Sequence, residues 1–175
     1  MKEFLHFGSV LLIIAAISAG ILNFVNGKTT PIINEREVAA QIEARKTVYT
    51  EADSFKEDEK IDIEGYSFIP AYKGTTQVGF VVSGVGQGYG GEINLTMAFD
   101  LNGKIKGVKI LSAKETPGLG DKIFDENWLN KWIGTDKDYE FQIGVDSFAG
   151  ATISPRGVHS ELIKILKLYD EKVKK

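Results

Sequence analysis

The 175-residue chain has no cysteine. That one absence removes thiol nucleophiles, thiolate-held iron–sulfur clusters, CxxCH haem attachment and disulfide stapling. Histidine is almost as scarce: His6 and His159 are the only two. They are too few for a His-rich metal site and are poorly placed for a Ser-His-Asp triad, so no metal ligands and no catalytic residues are assigned. Excess positive charge is also missing, because 21 Lys and Arg face 24 Asp and Glu, and a net charge of -3 leaves no footprint for nucleic acid. Disorder is not expected either, with 43% hydrophobic and 26% charged residues in a length that suits one domain.

What the sequence does have is one long apolar run. From Phe4 to Val25 there is no Lys, Arg, Asp or Glu. A helix of this length spans ~33 Å and can cross a bilayer once. The apolar core of a cleaved signal is usually about 7 to 15 residues, so the run reads as an uncleaved transmembrane anchor over residues 1–27. The charges flanking it, Lys2 against Glu3 and then Lys28 before Glu35, Arg36 and Glu37, slightly favour the N-terminus inside. Residues 28–175 then form an extracytoplasmic domain.

The domain reads as α+β, with a central antiparallel sheet flanked by helices. Asn34 and Glu37 have capping-box spacing, and Val38, Ile42, Arg45 and Tyr49 recur at helical intervals, predicting a helix that leads out of the anchor. From Tyr66 the period becomes that of strands: SFIPAY, QVGFVVSGV and INLTMAF, the last with Ile93, Leu95, Met97 and Phe99 on one face. Asn102-Gly103 is a hairpin signal, and GKIKGVKIL returns with Gly107 interrupting its alternation like a bulge. A second helix is predicted from Asp121 as N-cap to Gly134, with Phe124, Trp128 and Trp132 on one face. A third is predicted to start with Ser154 as N-cap and Pro155 in the first helical position, burying Val158, Leu162, Ile165, Leu166 and Tyr169.

Three stretches could carry chemistry. SGVGQGYGG holds a formal GxGxxG at Gly86, Gly88 and Gly91, but a strand follows it where a dinucleotide fingerprint requires a helix, so a glycine-rich loop is the reading. Glu115-Thr116-Pro117-Gly118-Leu119-Gly120 contains a Pro-Gly turn whose N–H groups and Thr116 hydroxyl could bond a heterocycle edge while Leu119 covers its face. In Asp146-Ser147-Phe148-Ala149-Gly150-Ala151-Thr152, the small residues would admit a ligand to the backbone. A phosphate near Thr152 would there meet the positive end of the following helix. Taken singly, each is as well explained as a turn or cap.

Taken together, the N-terminal span, ETPGLGD, and DSFAGAT followed by Ser-Pro closely resemble the flavin-binding G subunit of the Rnf complex, a membrane ferredoxin:NAD oxidoreductase that moves Na⁺ or H⁺. The related C subunit of the Na⁺-translocating NADH:quinone reductase shares the domain. The resemblance covers essentially the whole chain, in order. It implies an FMN-binding domain and an electron-relay role among other membrane subunits in the cytoplasmic (inner) membrane. It also implies FMN joined through its phosphate to Thr152 by a separate flavin transferase using FAD. Asp146 matches the acidic residue that opens the attachment motif, Ala149, Gly150 and Ala151 lead to the threonine, and Glu115, Thr116, Gly118, Leu119 and Gly120 match the segment that approaches the flavin ring. Ala149 departs from the family, where Ser or Thr is common, and Gly157 departs where Ala is usual. Gly157 is therefore expected to weaken its helix by roughly 1 kcal/mol.

Two other readings compete. One is a membrane-anchored interaction domain without cofactor, using Trp128, Trp132 and the sheet edge. The other makes Thr152 a hydrolytic nucleophile, for which His159 stands about two helical turns away.

Overall fold

A computed structural model describes the backbone from Lys2 to Lys174, and the side chains within it except at positions 2–5, 31–35 and 37. Helix α1 runs Lys2–Val48 and passes through Asn34 without a new start there. The side chains of the Asn34/Glu37 box lie outside the described residues. Within α1, His6–Thr30 is long and apolar enough to cross a membrane. The chain divides into two compact units, Met1–Ala40 and Gln41–Lys175.

The second unit is built on antiparallel strands β1 (Ser54–Phe55), β2 (Ile61–Ile63), β3 (Tyr66–Lys73), β4 (Thr76–Gln87), β5 (Glu92–Asp100) and β6 (Ile105–Ala113). The order is β1-β3-β4-β5-β6, with β2 also paired to β3. The Asn102-Gly103 hairpin joins β5 to β6 as predicted, Gly103 taking the positive φ that such a turn demands. The expected bulge is present beside Gly107: Ala98 pairs with Gly107 but Phe99 with Ile105, leaving Lys106 as the extra residue. A second irregularity, at Leu111, appears where Leu95 pairs with Ile110 and Asn94 with Ser112.

Alternation sorts the side chains onto two cores. Phe68, Phe80, Val82, Ile93, Leu95, Met97, Phe99 and Ile105 face a large core closed by helix α4 (Ile153–Leu168) through Val158, Leu162, Ile165 and Leu166. On the other sheet face Ala71, Val81 and Ala98 pack under Val48 and Tyr49 at the end of α1, where Tyr49 also donates to the Val78 carbonyl at 2.7 Å. Strand β5 is therefore covered on both faces at its centre.

The predicted second helix is broken. A 3₁₀ turn spans Gly120–Phe124, helix α2 is only Glu126–Leu129, and another 3₁₀ turn covers Asn130–Trp132. Asp125, not Asp121, is the N-cap, because its carboxylate accepts from the Trp128 N–H at 3.1 Å. Trp128 and Trp132 are buried edge to face with centroids 5.4 Å apart, while Phe124 on the other side of the break is exposed. The short helix α3 (Ile143–Asp146) precedes the loop to α4.

Helix α4 also starts differently from expectation. Thr152 occupies the N-cap position, and Ser154 and Pro155 lie inside the first turn. Ser154 is buried because its hydroxyl accepts from the Tyr89 N–H of the glycine loop at 3.4 Å, a use that a residue 65 positions away imposes. Gly157 is explained by packing: a Cβ there would overlap the Gln87 carbonyl oxygen and sit 2.8 Å from its carbon. A Cβ on Gly86 would sit 2.9 Å from the Gly157 oxygen. The glycine pair lets α4 lie directly on β4.

Candidate functional site

Three loops converge at the N-terminus of α4. The first is the β4–β5 connection, closed by Gly88 N–H donating to the Gly91 carbonyl at 2.8 Å. The second is a β-turn in which Leu119 N–H donates to the Thr116 carbonyl at 3.1 Å, with Pro117 and Gly118 in its central positions and Gly118 at φ +77°. The third is a tight turn in which Phe148 and Ala151 exchange backbone hydrogen bonds at 3.2 and 3.0 Å around Gly150 at φ +79°. The Leu119 side chain lies over Gly150, close enough that a Cβ there would be 3.5 Å from it. Two motifs about thirty residues apart thus meet face to face.

Between them lies a cleft of about 580 Å³ lined by Tyr89, Glu115, Thr116, Leu119, Gly120, Gly150, Ala151, Thr152, Ile153 and Ser154. Its volume falls in the range that holds a small-molecule cofactor. Thr152 and Ile153 also border a second cleft of about 550 Å³, which runs along α4 past Arg156 to Lys164. Thr152 makes no side-chain capping hydrogen bond. Its hydroxyl stands at the one position of α4 where a Thr ordinarily turns inward to bond the helix.

Among the described residues, Glu115 is the only charged side chain on the first cleft. Its Oε1 accepts weakly from the Gly90 N–H at 3.4 Å, and its Oε2 is buried without a hydrogen-bond partner. The glycines make room for it: a Cβ on Gly88 would overlap Oε1, and one on Gly120 would overlap Oε2 and lie 3.1 Å from Cδ. A Cβ on Gly90 would collide with the Lys114 carbonyl.

Asp146, Ala149 and Gly118 stand back from the cleft. Asp146 is buried and accepts from Tyr139 Oη at 3.0 Å and from the Gln142 N–H at 2.8 Å, while its own carbonyl accepts from Trp128 Nε1 at 2.8 Å. It fixes the loop that carries Thr152. The Tyr139 hydroxyl is held above its usual range, first by burial and then by the bond to this carboxylate.

The sequence pattern of the FMN-binding domain matches residues 88–167, a stretch that begins in the glycine loop and ends in α4. The chain is 30% identical to the G subunit of the ion-translocating oxidoreductase complex of Shewanella piezotolerans, over 96% of this chain and 90% of that one. The chain belongs to the G-subunit family of ion-translocating oxidoreductase complexes. The G subunit of Buchnera aphidicola is 39% identical over 55% of this chain, an alignment spanning about half (53%) of that relative's length. In fold, the C subunit of the Na⁺-translocating NADH-quinone reductase from Parabacteroides distasonis is similar at a TM-score of 0.51 and 20% identity, covering 74% of this chain and 80% of that one.

Of the interaction-domain reading only the sheet edge is left, because Trp128 and Trp132 are buried in the core. His159 is packed among Trp132, Tyr139 and Phe141, and its Nε2 pairs with the Tyr139 carbonyl at 2.9 Å, so it is not a base for Thr152. Sequence reasoning did not anticipate Tyr89, Ile153 and Ser154 at the cleft. The glycines around Tyr89 are the signal, and two of them answer to a distant segment: Gly88 clears the Glu115 carboxylate and Gly90 the Lys114 carbonyl.

Proposed function

We propose that this chain relays electrons through FMN carried as a phosphoester on Thr152, within a membrane-bound, ion-translocating complex. In maturation the Thr152 oxygen forms a bond to the FMN phosphorus of FAD, the pyrophosphate bond to AMP breaks, and the hydroxyl proton leaves to solvent. A separate flavin transferase performs this step. FMN supplies one- and two-electron chemistry that a chain without cysteine cannot, and the protein holds and tunes it.

The residues present fit such a group. Thr152 offers a hydroxyl not used for capping, the Ile153 and Ser154 N–H groups at the start of α4 favour a phosphate, and Leu119 with Gly150 and Ala151 offers an apolar wall to a flat ring. The uncapped Thr152 at the mouth of the cleft is the observation that carries the reading. The family and the apolar His6–Thr30 segment support a lipid bilayer and other membrane subunits as partners. The weak charge bias around that segment favours an extracytoplasmic position for residues 28–175, where a covalent bond would prevent loss of the cofactor.

Thr152→Ala tests this directly. Co-expressed with a flavin transferase, the wild type should give a flavin-fluorescent band on a denaturing gel and the variant a dark band. The variant should remain folded, because the missing side chain makes no cap bond and should cost no more than about 1 kcal/mol. A fluorescent Thr152→Ala band would remove Thr152 from the assignment.

A further inference from the structure

The chain has six tyrosines, and five of them are tied through the hydroxyl: Tyr49 to the Val78 carbonyl, Tyr66 to Glu161, Tyr72 to Glu59, Tyr139 to Asp146 and Tyr169 to the Leu101 carbonyl. Tyr89 is the exception. Among the described residues its hydroxyl has no partner, its ring belongs to neither core, and it is 73% exposed at the rim of the first cleft. Its backbone, by contrast, is held firmly. Gly88 N–H donates to the Gly91 carbonyl at 2.8 Å, Tyr89 N–H to Ser154 Oγ at 3.4 Å and Gly90 N–H to Glu115 Oε1 at 3.4 Å. The neighbouring positions have no room for a side chain of their own: a Cβ on Gly88 would overlap Glu115 Oε1, one on Gly90 would collide with the Lys114 carbonyl, and Gly91 turns at φ +138°. The loop thus presents a single aromatic ring, on a fixed base, to a cleft whose apolar lining includes Leu119 and Ala151.

We propose that the Tyr89 ring lies flat against the isoalloxazine and forms the outer wall of the cofactor site. The inference rests on the flavin reading above and deepens it, by naming the side chain that covers the flavin on its solvent side. An oxidised isoalloxazine is a broad, electron-poor plane and a phenol is a flat, electron-rich one, so the two attract in an offset stack that removes both faces from water. The stack also leaves an optical mark. A phenol in contact with a photoexcited flavin gives it an electron and takes it back before light is emitted, with no net change in either ring. Phenylalanine has the same shape but is too hard to oxidise to do this, whereas an indole does it at least as well.

The full chain is produced with the transferase, and its flavin fluorescence is read in detergent when folded and again after denaturation. An aromatic pair prefers the stacked to the open arrangement by about two- to tenfold, so the folded wild type should be about three- to tenfold dimmer than the denatured chain. Tyr89→Phe should regain most of that emission, and Tyr89→Trp should stay dim. A Tyr89→Phe chain as dim as the wild type, or a Tyr89→Trp chain as bright as Tyr89→Phe, with covalent flavin on the gel band, overturns the proposal and leaves the attachment reading standing. If the variants take up no flavin, the wild type decides by NMR of a chain carrying ring-labelled tyrosine. Among the described residues Tyr89 is the only tyrosine on the cleft. Cross-peaks between one tyrosine ring and the flavin ring protons support the stack, and their absence overturns it. A wild-type band that is dark on the denaturing gel would overturn the attachment reading, and this inference with it.

Discussion

Replacing Gly157 by Ala separates helix propensity from packing. In an exposed helix the change should stabilise by roughly 1 kcal/mol. Here the new Cβ would overlap the Gln87 carbonyl oxygen and lie 2.8 Å from its carbon, against an optimum of about 3.5–4.0 Å between carbons. Helix α4 must therefore back away from β4 by about 1 Å near its first turns. A gap of that size forfeits a quarter to a half of the dispersion contact made there. Val158, Leu162, Ile165 and Leu166 are fully buried on the sheet, each worth about 1.5–3 kcal/mol, so losing a quarter of that contact costs about 1.5–3 kcal/mol. After the propensity gain, the net destabilisation should be about 0.5–2 kcal/mol, read as a fall of roughly 2–10 °C in the melting of tryptophan fluorescence of the detergent-solubilised chain. Gly144→Ala, where nothing lies within 4 Å of a Cβ, is the control and should stay within about 0.5 kcal/mol. A Gly157→Ala chain that melts at or above the wild type would refute the close-approach argument.

Tyr49 is buried, and burial first, then Asp100 and Glu51, pushes its hydroxyl up to about 12. A raised folded value means stability that is intact below pH 10 and lost as pH rises through about 12, of order 2–3 kcal/mol. Tyr49→Phe should flatten that part of the alkaline stability profile measured by urea unfolding, and an unchanged slope would discount it. Asp146→Ala strands the Gln142 N–H and the Tyr139 hydroxyl and should cost about 2–4 kcal/mol while lowering flavin attachment at Thr152. A variant as stable as wild type would show that the carboxylate does not hold the loop. Protease added to right-side-out spheroplasts should digest the domain after α1; digestion only once the membrane is opened would reverse the topology.

Local signals were read well where they were also sufficient. Alternation in INLTMAF and the Asn102-Gly103 turn involve neighbours within a few residues, and β5, β6 and their hairpin follow them. The errors lie where a distant group intervenes. Asp121 has the composition of a cap, but Asp125 wins because its carboxylate reaches the Trp128 N–H and the preceding turn tightens to 3₁₀. Ser154 reads as a cap until Tyr89 N–H claims its hydroxyl, and that transfer leaves Thr152 at the helix start. The candidate site followed the same rule. Glu115, Leu119 and Thr152 were named from motifs, whereas Tyr89 and the purpose of the glycines depend on contacts that no local period encodes.

The two extra residues in β6 have a consequence for how copies of this protein meet. β6 ends the sheet, and among the described residues only Ile105 has its outward backbone groups bonded, to Gly134 and Thr135. A straight strand in that position would be a template for another chain's strand. Lys106 and Leu111 each throw the strand out of register, and the segment carrying Phe124, Leu129 and Ile133 borders it. Copies held in one plane meet edge to edge, and a kinked, partly covered border disfavours zipping them together.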